Sequence, residues 1–225
     1  MTFSIAARCP ETGQFGIAIS SSSIAVGARC PWLLPGVGAV STQNITLPSL
    51  GPETLALMEQ GLAPAEALDK VLTRNGYSQY RQITAIDHLG RTAHFSGAQT
   101  LGKHNAVSGE QCVAAGNMLA APGVIDAMVS AFEQAEGHLA DRLLAAMQGG
   151  MAAGGEAGPV HSAAVLVVGE LTWPIVNLRV DWADEDPIGQ LQKLWQAYRP
   201  QVQDYIDRAL APDRSPGYGV AGDDR

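Results

Sequence analysis

Residues 2–23 are TFSIAARCPETGQFGIAISSSS, and this stretch determines how the rest of the fold is interpreted. Apolar side chains alternate with small or polar ones along residues 2–8 and again along residues 14–20, which is the period of a β-strand. The segment CPETG between the two runs contains proline and glycine, which are common in turns. The stretch therefore predicts an antiparallel β-hairpin.

The register of this hairpin determines which residues lie beside Thr2. Pairing Arg8 with Gln14 across the turn places Thr2 roughly opposite Ser20. We therefore expect Thr2 to lie beside the serine run at residues 20–23, whose hydroxyls can both donate and accept hydrogen bonds.

The rest of the chain alternates between predicted strands and predicted helices. Strand patterns occupy residues 37–43, 81–87, 91–96, 112–115, 162–168 and 174–180, and the last two are predicted to be central strands. Helical patterns occupy residues 52–60, 64–75, 122–136 and roughly 138–151, and a long C-terminal helix begins at residues 186–187. The glycine-rich run at residues 149–155 predicts a loop, and Gly116-Asn117 predicts a turn after a strand.

This order of elements indicates the fold class. Hairpin connections give antiparallel strands, and two separate helix pairs can cover two outer faces. The sequence therefore predicts an α+β, four-layer αββα sandwich rather than a doubly wound parallel sheet, which needs strict alternation. We expect one domain over residues 1–211 and a flexible tail over residues 212–225, where Pro, Gly, Asp and Ser dominate.

Composition excludes several classes of partner. The chain has 225 residues, of which 46% are hydrophobic, and it carries 14 Lys and Arg against 22 Asp and Glu. No basic run offers a surface for nucleic acid or an anionic membrane. We find no apolar run long enough to span a membrane and no secretory signal, and three cysteines argue against a disulfide framework. These features predict a cytoplasmic protein that binds neither nucleic acid nor membrane.

The sequence predicts no metal and no cofactor. None of the five histidines stands in an HxH or HExxH pattern. The glycine-rich run at residues 149–155 lacks the Lys-Ser/Thr ending of a phosphate-binding loop. The large aromatic side chains of the last helix favour a homodimer contact, although packing within the domain explains them equally well.

Thr2 is the residue with the clearest chemical potential. Because an initiator methionine is usually removed before a small residue, we expect Met1 to be lost and Thr2 to gain a free α-amine. An N-terminal threonine supplies nucleophile and base in one residue, since its amine can take the hydroxyl proton. An α-amine has an ordinary pKa of about 8 and is partly neutral near neutral pH. The alternative is an ordinary first strand without a chemical role.

Several short motifs resemble, in order, those of a bacterial family known as a domain of unknown function, DUF1028. They are TFSIAAR (residues 2–8), PETG (10–13), GIA (16–18), YRQ (80–82), FSG (95–97), GNML (116–119) and SAA (162–164). The resemblance covers about residues 2–210 of the chain. It implies an αββα sandwich of the N-terminal-nucleophile hydrolase type with an amidohydrolase site at the chain start.

The sequence departs from the family's usual pattern at two places. Cys9 stands where relatives usually carry an aspartate, in an Arg-Asp-Pro turn. Before the strand at residue 162, relatives usually carry an acidic and arginine-rich approach to a Gln-Ser-Ala-Ala strand, whereas here Glu156 and a Gly-Pro-Val segment lead to His161. If this segment lines the pocket, His161 contacts the substrate and the substrate differs from that of relatives.

The leading hypothesis is a hydrolase of C–N bonds in a small-molecule amide. Thr2 is the predicted nucleophile, and Asn117 with the neighbouring Gly116 backbone is the predicted oxyanion donor. Ser21 and Gln43 are predicted to orient the amine, and Gln43 and Gly116 to contact the substrate.

Two alternatives stay open at the level of the sequence. One is a non-catalytic small-molecule-binding protein, and the other is a structural subunit of a multi-enzyme complex. Loss of Met1, measured as intact mass, is required only by the enzyme hypothesis.

Overall fold

The computed structural model describes residues 2–223. Its strands are β1 (Thr2–Arg8), β2 (Phe15–Ser21), β3 (Pro31–Leu34), β4 (Gly38–Asn44), β5 (Arg81–Asp87), β6 (Thr92–Ser96), β7 (Asn105–Gly109), β8 (Cys112–Asn117), β9 (Ser162–Val168) and β10 (Val176–Val180). Its α-helices are α1 (Leu50–Glu59), α2 (Pro64–Thr73), α3 (Gly123–Gln134), α4 (Leu139–Ala152), α5 (Pro187–Tyr198) and α6 (Val202–Leu210).

The strands form two antiparallel sheets. The larger sheet has the order β10-β9-β2-β1-β8-β7, and the smaller one has the order β3-β4-β5-β6. Every pair of neighbouring strands is antiparallel. The chain is therefore a mixed α+β protein, as the sequence predicts, and β1 lies inside the larger sheet.

Buried apolar side chains connect the sheets to the helices and to each other. Helices α3 and α4 contact the larger sheet, whereas α1 and α2 contact the smaller one. A separate apolar cluster joins the two sheets, with Ala6 and Ile17 on one side and Ala39 and Ile86 on the other. Each sheet is therefore buried on two faces.

Alternation along β1 divides its side chains between these two faces. Phe3 and Ile5 lie in the core shared with α3 and α4. Ser4 and Ala6 face the smaller sheet, where Ser4 donates a hydrogen bond to Gln43 of β4. Since Thr2 has the same parity as Ser4, it belongs to the side between the sheets.

The β1–β2 register differs by one residue from the register that the sequence predicts. Arg8 pairs with Phe15 rather than with Gln14, because the Cys9 N–H donates to the Gln14 carbonyl over 2.9 Å and makes that pair the last before the turn. Gly13, at φ 67°, supplies the left-handed residue that this turn needs. The shift brings Thr2 beside Ser21 instead of Ser20.

The prediction of a loop from residue 149 is wrong, because α4 continues through Gly149 and Gly150 to Ala152. A Cβ atom on Gly149 would lie 2.7 Å from the Ala131 Cβ, and one on Gly150 would lie 2.7 Å from the Met128 Cγ. The glycines therefore allow α3 and α4 to approach closely, and this packing compensates for their low helix propensity. The loop begins only at residue 153.

Three further elements differ from the predicted ones. Strands β3 and β7 are not predicted, since each is short and only partly buried. Strand β10 lies at an edge of the larger sheet rather than at its centre. The C-terminal helix is interrupted by a 3₁₀ turn at Arg199–Gln201, because Pro200 cannot continue the helix.

The end of the chain packs partly on itself. Tyr205 of α6 lies between Tyr198 and Tyr218, with ring centroids 5.6 Å and 6.3 Å away. Residues 212–223 contain no helix or strand, and residues 224–225 of the predicted tail lie outside the described part. Packing within the chain therefore accounts for part of the aromatic surface, which the sequence leaves open between a subunit contact and packing within the domain.

Candidate functional site

The ends of three adjacent strands bring the predicted catalytic residues together. Thr2 stands opposite Asn117 in the β1–β8 pair. On the other side of β1, the Thr2 Oγ1 atom lies 3.2 Å from the Ser21 Oγ atom. Opposite residues in antiparallel strands have Cα atoms only about 4.5–5.5 Å apart. Thr2 is 7% exposed, so the surrounding residues cover its side chain.

Ser21 is fixed by backbone groups around it. The Ser23 N–H donates to the Ser21 hydroxyl oxygen over 3.0 Å. The Ser21 carbonyl accepts from the backbone N–H of His161 over 2.9 Å. Its neighbour Ser20 points elsewhere and donates to the carbonyl of Ser162. Of Ser20 and Ser21, it is Ser21 whose hydroxyl lies beside Thr2.

Asn117 lies in a strand rather than in a turn, so the turn predicted for residues 116–117 is wrong. Strand β8 continues through both residues, and the chain bends at Met118, which has φ 50°. Gly116 pairs with Phe3 on one side and with Asn105 on the other, so its backbone belongs to the ladder of the sheet. The side chain of Asn117 is therefore the group that this segment offers to a ligand.

A chain of side-chain amides fixes the orientation of Asn117. The Gln82 Nε2 atom donates to the carbonyl of Gly116 over 3.0 Å, and a carbonyl can only accept. Gln82 must therefore present Oε1 to Asn117, whose Nδ2 atom donates to it over 3.1 Å. Asn117 is 1% exposed, and its Oδ1 atom has no hydrogen-bond partner among the described residues.

Gln43 lies one step further from Thr2 in the same chain of amides. Its Nε2 atom donates to the Gln82 Oε1 atom and to the carbonyl of Ala115. Its Oε1 atom accepts from the Ser4 hydroxyl over 2.7 Å. Gln43 is therefore connected to Asn117 through Gln82 and to β1 through Ser4.

His161 is the residue directly before β9, and its backbone is bonded to that of Ser21. Its Nδ1 atom is 2.8 Å from the carbonyl of Ala183, and its ring stacks on Trp182 with centroids 4.4 Å apart. Because a carbonyl can only accept, the Nδ1 atom of His161 is the donor in this hydrogen bond. His161 is thus tied to Ser21 through the backbone, whereas its ring points to the Trp182 surface.

Glu156 is the residue near this site to which the sequence analysis assigns no role. It lies in the α4–β9 loop (residues 153–161) and is 5% exposed. Its Oε2 atom accepts from the Ser22 N–H over 3.3 Å, and its backbone bridges to Leu119. The sequence contains one signal for this role: a single acidic residue lies between glycines in the apolar stretch AGGEAGPV at residues 153–160.

The environment of Glu156 disfavours its charged form. Burial raises the pKa of the Glu156 carboxyl from 4.5 to about 7, although the positive charge of the N-terminal amine and hydrogen bonds from Ser22 oppose this increase. The Oε1 atom has no partner among the described residues. A buried carboxyl with a perturbed pKa, bonded to Ser22 directly after β2, marks this end of the sheet as a candidate functional site.

Other parts of the described chain offer less. A cavity of about 630 Å³ lies between α4 and the start of α5, and Thr2, Ser21 and Asn117 are not among its lining residues. Within residues 2–223 there is no group of three or more His, Cys, Asp or Glu side chains placed to hold a metal ion. None of the helices described is both long and apolar enough to span a bilayer.

Comparison with known proteins identifies the family. The model of a family of unknown function, DUF1028, matches residues 2–191. The chain belongs to the DUF1028 family. A crystal structure of another member, protein SPO2555 from Silicibacter pomeroyi, has a TM-score of 0.85 and 33% identity, with 91% of this chain and 89% of that chain covered. The family resemblance seen in the sequence motifs is confirmed.

More distant structures share far less with this DUF1028 protein. Anbu (ancestral beta-subunit) from Yersinia bercovieri has a TM-score of 0.40 and 10% identity, covering 90% of this chain and 97% of that one. Anbu from Hyphomicrobium sp. strain MC1 has a TM-score of 0.41 and 10% identity, covering 89% and 96%. These values are too low to transfer any property. No protein with a curated description matched the chain.

Proposed function

We propose that this DUF1028 protein is an N-terminal-nucleophile amidohydrolase that acts on a small-molecule amide after loss of Met1. Met1 lies outside the described residues. The observation that carries the proposal is the position of Thr2: it is buried in an internal strand, 3.2 Å from the Ser21 hydroxyl and opposite Asn117. The four-layer αββα arrangement of that hydrolase type is part of the proposal.

The proposed chemistry uses the hydroxyl and the α-amine of Thr2. Oγ1 attacks the carbonyl carbon of the amide while its proton passes to the amine. The tetrahedral intermediate then collapses, and the leaving nitrogen takes that proton, which leaves an ester on Oγ1. Water attacks the ester, gives a proton to the amine and releases the carboxylic acid, with the proton returning to Oγ1.

Asn117 is the proposed donor to the oxyanion of the tetrahedral intermediate. One N–H of its Nδ2 group is bonded to Gln82, and an amide nitrogen carries two. The chain of amides that fixes Asn117 gives the second N–H a set direction before substrate binds. Such preorganisation is what makes an oxyanion donor effective, and removing one typically costs about 10²–10³ in rate.

Ser21 is the proposed partner that orients the Thr2 side chain. Its hydroxyl is itself anchored by the Ser23 N–H, so the Thr2 hydroxyl meets a fixed group. We assign Gln43 an indirect role, since its contacts reach Thr2 only through Ser4, Gln82 and Asn117. His161 and its Trp182 partner are proposed to form one wall of the substrate site.

The test compares four proteins whose termini are checked by intact mass. The chain is released from a cleavable leader so that Thr2 is the first residue, and it is assayed on a panel of small amides. Thr2→Ala should lose nearly all activity and keep its fold, whereas Thr2→Ser should keep part of it, because the hydroxyl survives. The same chain with Met1 retained is the matched control and should be inactive.

Two results would contradict the proposal. Hydrolysis by the Met1-retaining chain at the rate of the processed chain excludes the α-amine as the base. Quantitative retention of Met1 in the native host ends the enzyme hypothesis and favours a binding role for the same site.

A further inference from the structure

The segments that leave β2 and β8 meet at Glu156. After β2 ends at Ser21, the N–H of Ser22 donates to the Glu156 Oε2 atom. After β8 ends at Asn117, Leu119 forms a β-bridge with Glu156. Two backbone hydrogen bonds, from Ala157 N–H to the Met118 carbonyl (2.9 Å) and from Ala120 N–H to the Gly155 carbonyl (3.0 Å), hold the loop around Glu156 against the segment after β8.

This arrangement places Glu156 across the end of β1. Strands β2 and β8 flank β1 on its two sides, each about 4.8 Å away. A residue that contacts the continuations of both neighbours must pass in front of the strand between them. The first residue of that strand in the described chain is Thr2, so its backbone nitrogen lies at the end that Glu156 crosses.

Two acceptor oxygens at this end lack hydrogen-bond donors among the described residues. They are the Oε1 atom of Glu156 and the Oδ1 atom of Asn117, in residues that are 5% and 1% exposed. Leaving a buried acceptor unpaired is costly, more so when it is charged. An ammonium group, with three N–H donors, is the chemical partner that suits a carboxylate and an amide oxygen together.

We propose that Glu156 is a positioning residue whose carboxylate accepts a hydrogen bond from the α-ammonium group of Thr2 once Met1 has been removed, with Asn117 Oδ1 as the second acceptor. The inference rests on the proposed function, because it requires a free amine on Thr2. It goes beyond that function in naming the group that orients the amine.

The charges around this end agree with such a pair. Burial raises the pKa of the Glu156 carboxyl, whereas the positive charge of the N-terminal amine and hydrogen bonds from Ser22 lower it. Cys30, Lys103 and His161 are titratable residues on described segments that adjoin this end. Burial raises the pKa of the Cys30 thiol and keeps it neutral, and the Lys103 Nζ atom is bonded to the Ala120 carbonyl at the exposed side.

The pairing has a consequence that can be measured without turnover. A nearby carboxylate stabilises the charged amine, so the amine pKa should be higher with Glu156 than without it. Glu156→Gln keeps the shape and removes the charge, and it should lower the amine pKa by about one unit. Glu156→Asp keeps the charge on a shorter stem and should restore part of the difference.

The experiment measures the rate at which an anhydride reagent labels the Thr2 amine as a function of pH. Wild-type, Glu156→Gln and Glu156→Asp chains are all released from the leader with Thr2 first. Glu170→Gln, at an exposed position in the loop after β9, is the matched control and should leave the midpoint unchanged. In an active enzyme, the ascending limb of the pH–rate profile should move to lower pH in Glu156→Gln.

A second measurement covers the case in which Glu156→Gln does not fold. In the wild-type chain, acetylation of the Thr2 amine removes its charge, and the Glu156 pKa, followed by ¹³C NMR of the carboxyl, should rise. Midpoints that do not move in either experiment overturn the inference even if amides are hydrolysed. Midpoints that move while no amide is hydrolysed support the pair and count against the proposed function, so the two failures are distinguishable.

Discussion

The Oγ1 atom of Thr2 lies 3.2 Å from the Oγ atom of Ser21, on the side of the larger sheet that faces the smaller one. The tight turn after Arg8 creates this relationship by setting the strand register so that Ser21 follows the last paired residue, Ser20. Both side chains are buried, so water does not separate the two hydroxyls. The hairpin therefore both pairs β1 with β2 and orients the Thr2 hydroxyl against Ser21.

Ser21→Ala should lower the rate of amide hydrolysis about tenfold, because a hydrogen bond of about 1.4 kcal/mol that holds the nucleophile is lost. Steady-state kinetics of the processed chain checks this. Ser20→Ala is the control, since the Ser20 hydroxyl bonds to the Ser162 carbonyl and leaves the Thr2–Ser21 contact intact. Equal losses in both variants would show that strand packing, rather than the contact with Thr2, matters.

Gln82→Leu should reduce the free energy of unfolding by about 3 kcal/mol, because it removes the acceptor of the buried Asn117 and Gln43 amides and the donor to the Gly116 carbonyl. Urea unfolding measures the change. Gln134→Leu, at an exposed position of α3, should change stability by less than about 0.5 kcal/mol. A small effect at Gln82 would mean that water replaces its hydrogen bonds.

The wild-type chain with Met1 retained should lose stability, relative to Glu156→Gln, as the pH rises. The folded pKa of about 7 exceeds the ordinary value of 4.5, so the folded state binds more protons between those values. Stability is then fully present below the lower value and decreases through the upper one, by about 3 kcal/mol at most. Urea unfolding of both proteins from about pH 4 to about pH 8 gives the difference, and a flat difference is inconsistent with the raised pKa.

Gly149→Ala should destabilise the protein by about 1–3 kcal/mol, because the added methyl group meets the Ala131 Cβ at 2.7 Å and the Ala127 carbonyl at 3.0 Å. Thermal unfolding measures the loss. Gly123→Ala, in the first turn of α3 with nothing within 4 Å of the added Cβ, should be neutral or slightly stabilising. Equal stability of the two variants would show that α3 shifts to accept the added methyl group, so that close packing does not require a glycine at position 149.

The protein should behave as a homodimer in solution, with a mass of about twice 23.5 kDa, because closed two-fold assemblies are the commonest. Leu210 and Tyr205 of α6 are 60% and 40% exposed and are the surface expected at the contact. Light scattering at micromolar concentration checks the mass. A constant monomer mass would contradict the homodimer. A dimer that is unaffected by Leu210→Glu would show that α6 does not form the contact.

Local patterns in the sequence predict β1, β2 and the helix pairs because alternation and helical periodicity report which face of an element is buried. The C-terminal end of α4 cannot be predicted from such local patterns. Gly149 and Gly150 disfavour a helix in isolation, and only the neighbouring α3 makes them an advantage. Likewise, β7 is too short and too exposed to show a pattern before β8 is in place beside it.

The part of the candidate site that depends on pairing within one hairpin can be predicted from the sequence. Thr2 and Ser21 meet through one hairpin, and Asn117 is placed by motif resemblance. Glu156 reaches the site through contacts with residues 22 and 119, far away in the sequence. The orientation of the Asn117 amide depends on carbonyls that no side-chain pattern reveals.

The amides of Gln43 and Gln82 also restrict how the two sheets can move. Both side chains start on the smaller sheet and bond to carbonyls of β8 in the larger one, near Thr2. At the far end, the sheets touch through Ala6, Ile17 and Ile86, and apolar contacts have no preferred direction. We therefore expect any sliding of one sheet over the other to pivot about the Thr2 end. Amide hydrogen exchange should then be slower around Gly116 than around Ile86.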